Sequence, residues 1–317
     1  MNLELNKLIC GNNVDVLKTF PDNCVDLCLT SPPYDDLRAY KGKVSDKDYN
    51  GYSFPFEPLA KELYRVIKQG GVIVWIINDG TDKNGSKTGS SFKQALYFKE
   101  VGFNIHDIMF YEKNGCSFPS KNRYYQTIEY MMVFSKGKPK TVRLIDDRKN
   151  LWAGFTSWGN QTNRGQGDDL TVVGKSPVTP DYGVRFQLWR YNTGKGFTTN
   201  DEIAFKHPAI YPEALARDHI ISWSNVGDVV LDPFIGSGTT AKMALLHRRC
   251  YFGIDVNQEY VDLANERLSH YQTESFMEDQ YSDSAFINSL RNKQKEKEIS
   301  KNIDIHNEES SSLSDLF

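Results

Sequence analysis

Short apolar runs of strand length alternate along this chain with segments whose apolar residues recur at helical spacing, and that alternation is the strongest constraint on its fold. Residues 5 to 10, Val25 to Thr30, Val72 to Ile77, Ile105 to Tyr111, Ile128 to Phe134, Val229 to Leu231 and Tyr251 to Ile254 read as strands. Helices are predicted around Val14 to Phe20, near Phe92 to Val101, from about Pro212 to Trp223, and where Val261, Ala264 and Leu268 share a face. Another carries Leu59, Leu63, Val66 and Ile67, with Gly70-Gly71 as its expected stop. Such alternation predicts a parallel-type α/β sheet.

The rhythm is interrupted by polar stretches at Asp35 to Ser53 and Asn78 to Ser91, and it is lost between about Lys136 and Asn200. Loops of that length inside a domain are usually functional or disordered. At 317 residues the chain can bury one large core or two ordinary ones. Its 38 basic and 41 acidic residues nearly balance, so no global field announces a nucleic-acid partner. Locally the balance differs. Lys136, Lys138, Lys140, Arg143, Arg148, Lys149 and Arg164 face only Asp146 and Asp147 before position 165, among Trp152, Trp158 and many amides. Cations meet phosphates and amides can read base edges, so this stretch suits a nucleic-acid surface. An irregular insertion with tryptophans in a small core would look the same.

Five scattered cysteines form no paired metal-ligand blocks, and Cys24 and Cys28 read as buried thiols. The amino terminus lacks an apolar signal segment and no apolar run reaches membrane-spanning length, which predicts a cytoplasmic protein with no membrane partner. The chain from 271 to 317 is polar, charged and Ser-rich at its end, and reads as a tail without chemistry.

Directly after the strand at Val25 to Thr30 stand Ser31-Pro32-Pro33-Tyr34. Two prolines fix φ and carry no N–H, so the chain leaves the sheet as a stiff extended turn. It presents a hydroxyl, free carbonyls and an aromatic ring at the carboxyl end of a strand, where open α/β sheets place ligands. Such a turn can accept hydrogen bonds from an NH₂ group and stack a flat ring. A strand exit with a surface tyrosine is the plainer alternative.

A second segment, Asp232-Pro233-Phe234-Ile235-Gly236-Ser237-Gly238-Thr239, joins a strand to a helix. Glycines here allow close backbone approach to a ligand, and the helix offers its positive end. Asp255 ends the next strand, with Asn257 just beyond, placed where a carboxylate accepts from two ribose hydroxyls. A P-loop is disfavoured because no Gly-Lys-Ser/Thr follows, and a dinucleotide site because the third glycine is missing.

Together the two motifs resemble those of amino-group DNA methyltransferases that use S-adenosylmethionine. Ser31 to Tyr34 match the catalytic (D/N/S)-PP-(Y/F) pattern, and residues 232 to 239 match the cofactor motif D-P-F-x-G-S-G-T. Their order is that of the family's beta group, and the likeness spans roughly residues 5 to 270. It implies a Rossmann-like, mostly parallel sheet with helices on both faces, plus an irregular target recognition insertion. The implied division is a catalytic half at 1–135, a recognition region at 136–205 holding the basic residues named above, and a cofactor half at 206–270. Lys206, His207 and Pro208 then border the methionine end of the cofactor, with His207 in a packing role, and Asn12 stands where the family touches adenine, usually with an acidic residue. Double-stranded DNA is the implied partner, with a cognate restriction endonuclease and a homodimer as further expectations.

An exocyclic amine is a poor nucleophile because its lone pair is delocalised into the ring. Ser31 Oγ and the Pro32 carbonyl are expected to accept its two N–H bonds, with Tyr34 stacked on a flipped base. Methylation at cytosine C5 is disfavoured, since that chemistry uses a Pro-Cys thiolate and none of the five cysteines follows a proline. In the resembling family, Ser before Pro-Pro goes mainly with cytosine N4 and Asp or Asn mainly with adenine N6, so cytosine N4 is expected and adenine N6 is the alternative. RNA or protein-glutamine methylation, and a non-catalytic DNA-binding module, remain as rival classes.

Overall fold

The computed structural model describes residues 4–34, 54–115, 121–156, 160–164, 170–175 and 177–271. The expected loop at Asp35 to Ser53 and the tail beyond 271 lie outside the described residues, as does Trp158. In chain order the first half contains β1 (Lys7–Cys10), α1 (Asn13–Lys18), β2 (Val25–Thr30), α2 (Phe56–Val66), β3 (Ile67–Ile77), α3 (Ser90–Val101), β4 (Asn104–Lys113) and β5 (Ile128–Ser135). Short strands follow at β6 (Arg148–Lys149), β7 (Asn160–Arg164), β8 (Leu170–Lys175) and β9 (Tyr182–Gly183). The chain then gives β10 (Leu188–Tyr191), a 3₁₀ turn at Glu202–Lys206, α4 (Glu213–Trp223), β11 (Val229–Asp232), α5 (Thr239–Leu246), β12 (Cys250–Asp255) and α6 (Gln258–Ser269).

Eight strands form one sheet in the order β1-β12-β11-β2-β3-β5-β4-β10. Among them β5 alone runs antiparallel to its neighbours, so the predicted mostly parallel α/β sheet is what forms. Central β2 is buried along its whole length, as a strand covered on both faces must be. Its Val25 and Cys28 join Ile73, Trp75 and Phe134 in an apolar layer under α1, α2 and α3. Helices α4, α5 and α6 pack against the sheet through β1, β2, β3, β11 and β12, with Leu215, Ala216, Ile220 and Ala244 fully buried outside that layer. No helix among the described residues is long and apolar enough to cross a membrane.

Two local expectations change. Helix α2 ends at Val66 rather than at Gly70-Gly71, because Ile67 already adopts extended dihedrals (φ −67°, ψ 132°). β3 runs straight through the glycines, and Gly70 takes a positive φ of 81° there. β10 was invisible in a stretch without periodicity. It adds to the sheet edge beside β4 because Trp189 is buried there and stacks on His219 at 4.6 Å between ring centroids.

Residues 145–185 form a compact unit of their own, whereas 136–144 and 186–271 belong with the sheet. Within that smaller unit β6 pairs with β9 and β7 with β8, both antiparallel. Asp147 and Arg185 are joined by an ion pair, and Trp152 meets Phe155 edge to face. Trp152 is 70% exposed, so it does not fill a core.

Candidate active site

The parallel strands deliver their carboxyl ends to one edge of the sheet. Gly11 follows β1, Ser31 follows β2, Asp232 ends β11 and Asp255 ends β12. A cavity of about 500 Å³ opens there, within the usual size of small-molecule sites. Its wall brings together Asn12, Ser31, Pro33, Tyr34, His207, Pro208, Pro233, Phe234, Gly236, Ser237, Thr239 and Asp255, so most residues of both sequence motifs meet in one space.

Asp232 holds that space together from behind. It is 2% exposed; one oxygen accepts from Thr30 Oγ1 at 2.6 Å and Phe234 N at 3.0 Å, and the other from Thr240 Oγ1 at 2.6 Å. Burial pushes its carboxyl up to about 6 even though these three donors favour the charged form. The side chain does not line the cavity and acts as a brace between the two motifs. Asp255 does line it, accepting from Gly236 N at 3.1 Å and Asn257 N at 2.9 Å, and burial raises its carboxyl. Gly236 has φ 48°, and a Cβ there would stand 2.9 Å from His207 Nε2.

Several expected ligand residues have other tasks. Asn12 lines the cavity, but its Oδ1 caps α1 by accepting from Val14 N and Asp15 N at 3.0 and 3.4 Å. Gly238 is the left-handed residue that starts α5, and Asn257 caps α6 by accepting from Glu259 N. Neither lines the cavity, nor does exposed Lys206 at the end of its 3₁₀ turn, nor buried Pro32. His207 is packed as expected: Nδ1 lies 2.7 Å from Ala209 O, and the ring meets Tyr260 at 4.4 Å.

The basic residues divide in a way the sequence did not reveal. Lys136 N donates to Gly71 O and Lys140 N to Gly70 O, near the start of β3 and thus at the edge opposite the cavity. Lys136 Nζ is spent on Tyr64 O in the last turn of α2 at 2.7 Å and on Ile67 O just beyond it at 2.9 Å. Arg143 reaches Asn225 Oδ1 at 2.8 Å, and its N–H donates to Ser222 O before β11 begins. These residues, with Lys138 between them, are therefore not brought to the site. Arg148, Lys149 and Arg164 lie in strands of the smaller unit.

Three site residues were missed. Tyr111 and Lys113 on β4 share a face, and Tyr111 stands opposite Glu129 of β5 in the ladder. All three line the cavity. Ser31 Oγ donates to Tyr34 Oη at 3.0 Å, Tyr34 Oη donates to Glu129 Oε2 at 3.0 Å, and Lys113 Nζ donates to Glu129 Oε1 at 2.7 Å. Tyr111 Oη, in a side chain 2% exposed, has no hydrogen-bond partner among the described residues. Burial, and then the charge of Glu129, raises its pKa, so the buried hydroxyl stays neutral. A carboxylate in the otherwise apolar run Ile128 to Phe134 was the available signal for Glu129.

Behind the glycine turn, fully buried Arg267 donates to Ser237 O at 2.9 Å, Thr239 Oγ1 at 3.0 Å and Asp201 Oδ2 at 2.7 Å. Lys242 joins it by donating to Asp201 and Glu213 at 2.9 and 2.7 Å. Burial alone would push the Asp201 carboxyl up, but hydrogen bonds from Tyr271, Arg267 and Lys242 bring it down to about 2.

A mostly parallel sheet with helices on both faces, a Ser-Pro-Pro-Tyr turn and a glycine turn closed by Asp255 define an α/β methyltransferase. The family model described as DNA methylase matches residues 25–266, and the chain belongs to that family of N6 and N4 methyltransferases. It is 56% identical over 250 residues to the orphan methyltransferase M.BamHII of Bacillus amyloliquefaciens, covering 79% of this chain and 91% of the relative. The fold resembles the cytosine-N4-specific PvuII DNA methyltransferase with a TM-score of 0.62 at 19% identity, over 86% of this chain and 89% of that one. It also resembles TTHA0409 of Thermus thermophilus, solved in complex with S-adenosyl-L-methionine, with a TM-score of 0.54 at 22% identity over 86% and 97%.

Proposed function

We propose that this chain moves a methyl group from S-adenosylmethionine to the exocyclic amine of a base flipped out of double-stranded DNA, and that the base is cytosine, methylated at N4. The observation that carries this reading is the position of Ser31. Its hydroxyl opens into the same cavity as Asp255, and its hydrogen is directed at Tyr34, which leaves the oxygen lone pairs for an amine N–H.

The residues fit the cofactor. Asp255 offers acceptors for ribose hydroxyls, Phe234, Val256 and Ile235 offer apolar surface for an adenine ring, and the turn at Gly236 and Ser237 closes over them. When bound, S-adenosylmethionine supplies an electrophilic methyl on a sulfonium. The protein's part is orientation: Ser31 holds the amine so that nitrogen can pyramidalise, and Pro33 and Tyr34 keep the turn stiff. In the smaller unit, Arg148 and Lys149 offer cations to phosphates, and exposed Trp152 and Phe155 offer stacking surface. The orphan status of M.BamHII favours a methyltransferase that works without a cognate endonuclease.

Transfer of labelled methyl from S-adenosylmethionine to unmethylated plasmid DNA, to RNA and to a protein extract tests the substrate class. Label in duplex DNA alone supports the proposal. Label confined to RNA or protein overturns it.

A further inference from the structure

Methylation leaves a positive charge on the exocyclic nitrogen, so a proton has to depart before the product is neutral. Nothing in the Ser-Pro-Pro-Tyr turn itself can hold that proton, because a serine hydroxyl and a tyrosine hydroxyl are both far too acidic when protonated. The structure shows where it can go. Ser31 Oγ, Tyr34 Oη and the Glu129 carboxylate form a continuous chain of hydrogen bonds along the cavity wall, each 3.0 Å long and each donor directed toward the carboxylate.

We propose that Glu129 is the terminal proton acceptor of this relay, an inference that rests on the amino-methyltransferase reading. The N–CH₃ bond forms as the S–CH₃ bond breaks, and the S–C electron pair returns to sulfur. The cationic nitrogen then gives one N–H proton to Ser31 Oγ and keeps the bonding pair. Ser31 passes its own proton to Tyr34 Oη, and Tyr34 passes its proton to Glu129 Oε2. The net change is one methyl moved to nitrogen and one proton moved to the carboxylate. No further reactant is needed.

The surroundings of Glu129 suit the task. It is 9% exposed and directly opposite Tyr111 on β4, two residues from Lys113 in the same ladder. Lys113 on β4 faces it at 2.7 Å and offsets its charge before transfer. Among the described residues, the other titratable groups against it are the hydroxyls of Tyr34 after β2 and Tyr111, while Tyr191 on the neighbouring β10 is turned to Asp218 at 2.6 Å. Cys28 and the carboxylates of Asp232 and Asp255 belong to other strands of the sheet. Glu129 acts through Tyr34 and Ser31, so it is a positioning and proton-holding residue rather than one that touches the base.

The test compares Glu129→Gln, Glu129→Asp and Tyr34→Phe with the full-length wild type in single-turnover methyl transfer to unmethylated plasmid DNA across pH. Melting temperature, S-adenosylmethionine affinity by calorimetry and DNA affinity by gel shift are measured beside it. Gln still accepts from Tyr34 but cannot take a proton. The expected result is a loss of about 10²-fold in Glu129→Gln and in Tyr34→Phe, with melting and both affinities within about twofold of wild type. Glu129→Asp recovers most of the rate. The pH profile of the rate in Glu129→Gln is expected to differ from that of wild type. If Glu129→Gln keeps half the rate or the same pH dependence, the relay is wrong while the methyltransferase reading stands. Early melting or lost affinity in both Glu129→Gln and Tyr34→Phe assigns the chain a structural role and overturns the relay. A wild-type protein that methylates no DNA defeats the methyltransferase reading itself.

Discussion

Thr30 donates a 2.6 Å hydrogen bond to Asp232, and through it the last residue before the Ser-Pro-Pro-Tyr turn is tied to the first residue of the glycine-turn motif, 202 positions later in the chain. Asp232 also gathers Thr240 and Phe234, so the two halves of the site are set against each other by one buried side chain. Replacement by Ala removes the acceptor of Thr30 and of Phe234 N, while Thr240 keeps Leu29 O and Tyr211 as partners. Unsatisfied buried groups cost about 1–3 kcal/mol each, so Asp232→Ala is expected to lower the melting temperature and slow methyl transfer together. Asn keeps two acceptor contacts and is expected to fall between Ala and wild type. Thermal unfolding and single-turnover rates on the two variants check this.

Two carboxylates give stability a pH dependence of opposite sign. Asp201, held down at about 2 from an ordinary 3.8, adds stability that is present above about pH 4 and lost as pH falls toward 2, on the order of 2 kcal/mol. Asp232, raised from 3.8 to about 6, works the other way: stability present below about pH 4 is lost as pH rises through 6. Melting curves between pH 3 and 8 on Asp201→Asn and Asp232→Asn separate the two. The first is expected to flatten the acid side and the second the slope between pH 4 and 6.

Ser31→Ala removes the oxygen proposed to accept from the amine but leaves Pro32-Pro33 and the Tyr34 to Glu129 hydrogen bond in place. Methyl transfer is expected to slow by about 10²-fold with S-adenosylmethionine affinity unchanged, the pattern of a group that acts in the transition state. Calorimetry and single-turnover kinetics on the same preparation read both quantities.

Asp255→Ala is expected to do the reverse. It removes the carboxylate placed for the ribose and the acceptor of Gly236 N and Asn257 N, so cofactor affinity should fall by at least about tenfold, the scale of one lost hydrogen bond to a charged group. The rate at saturating cofactor should change less. Calorimetric titration with S-adenosylmethionine is the measurement.

The sheet was legible because its strands are apolar runs and its helices carry one apolar stripe, and both motifs stand at strand ends where the local pattern stops. Ser31 and Asp255 could be read for that reason. Glu129 could not, since a carboxylate's task depends on which strand lies beside it, and the pairing of β5 with β4 is not written in either strand alone. The contacts of Lys136 were hidden for a similar reason: a cation in a basic stretch gives no sign that carbonyls around the end of α2 will claim it. Asp232 and Asn257 occupy motif positions yet serve the protein's own hydrogen bonds, because a motif records what a turn needs as well as what a ligand needs.

The central claim is that the Ser31 turn presents a cytosine amine to the methyl donor. Nucleoside mass spectrometry of unmethylated plasmid DNA treated with the pure protein and S-adenosylmethionine tests it most directly. N4-methylcytosine is the predicted product, absent when Ser31→Ala is used for the same time; N6-methyladenine without N4-methylcytosine would contradict the account.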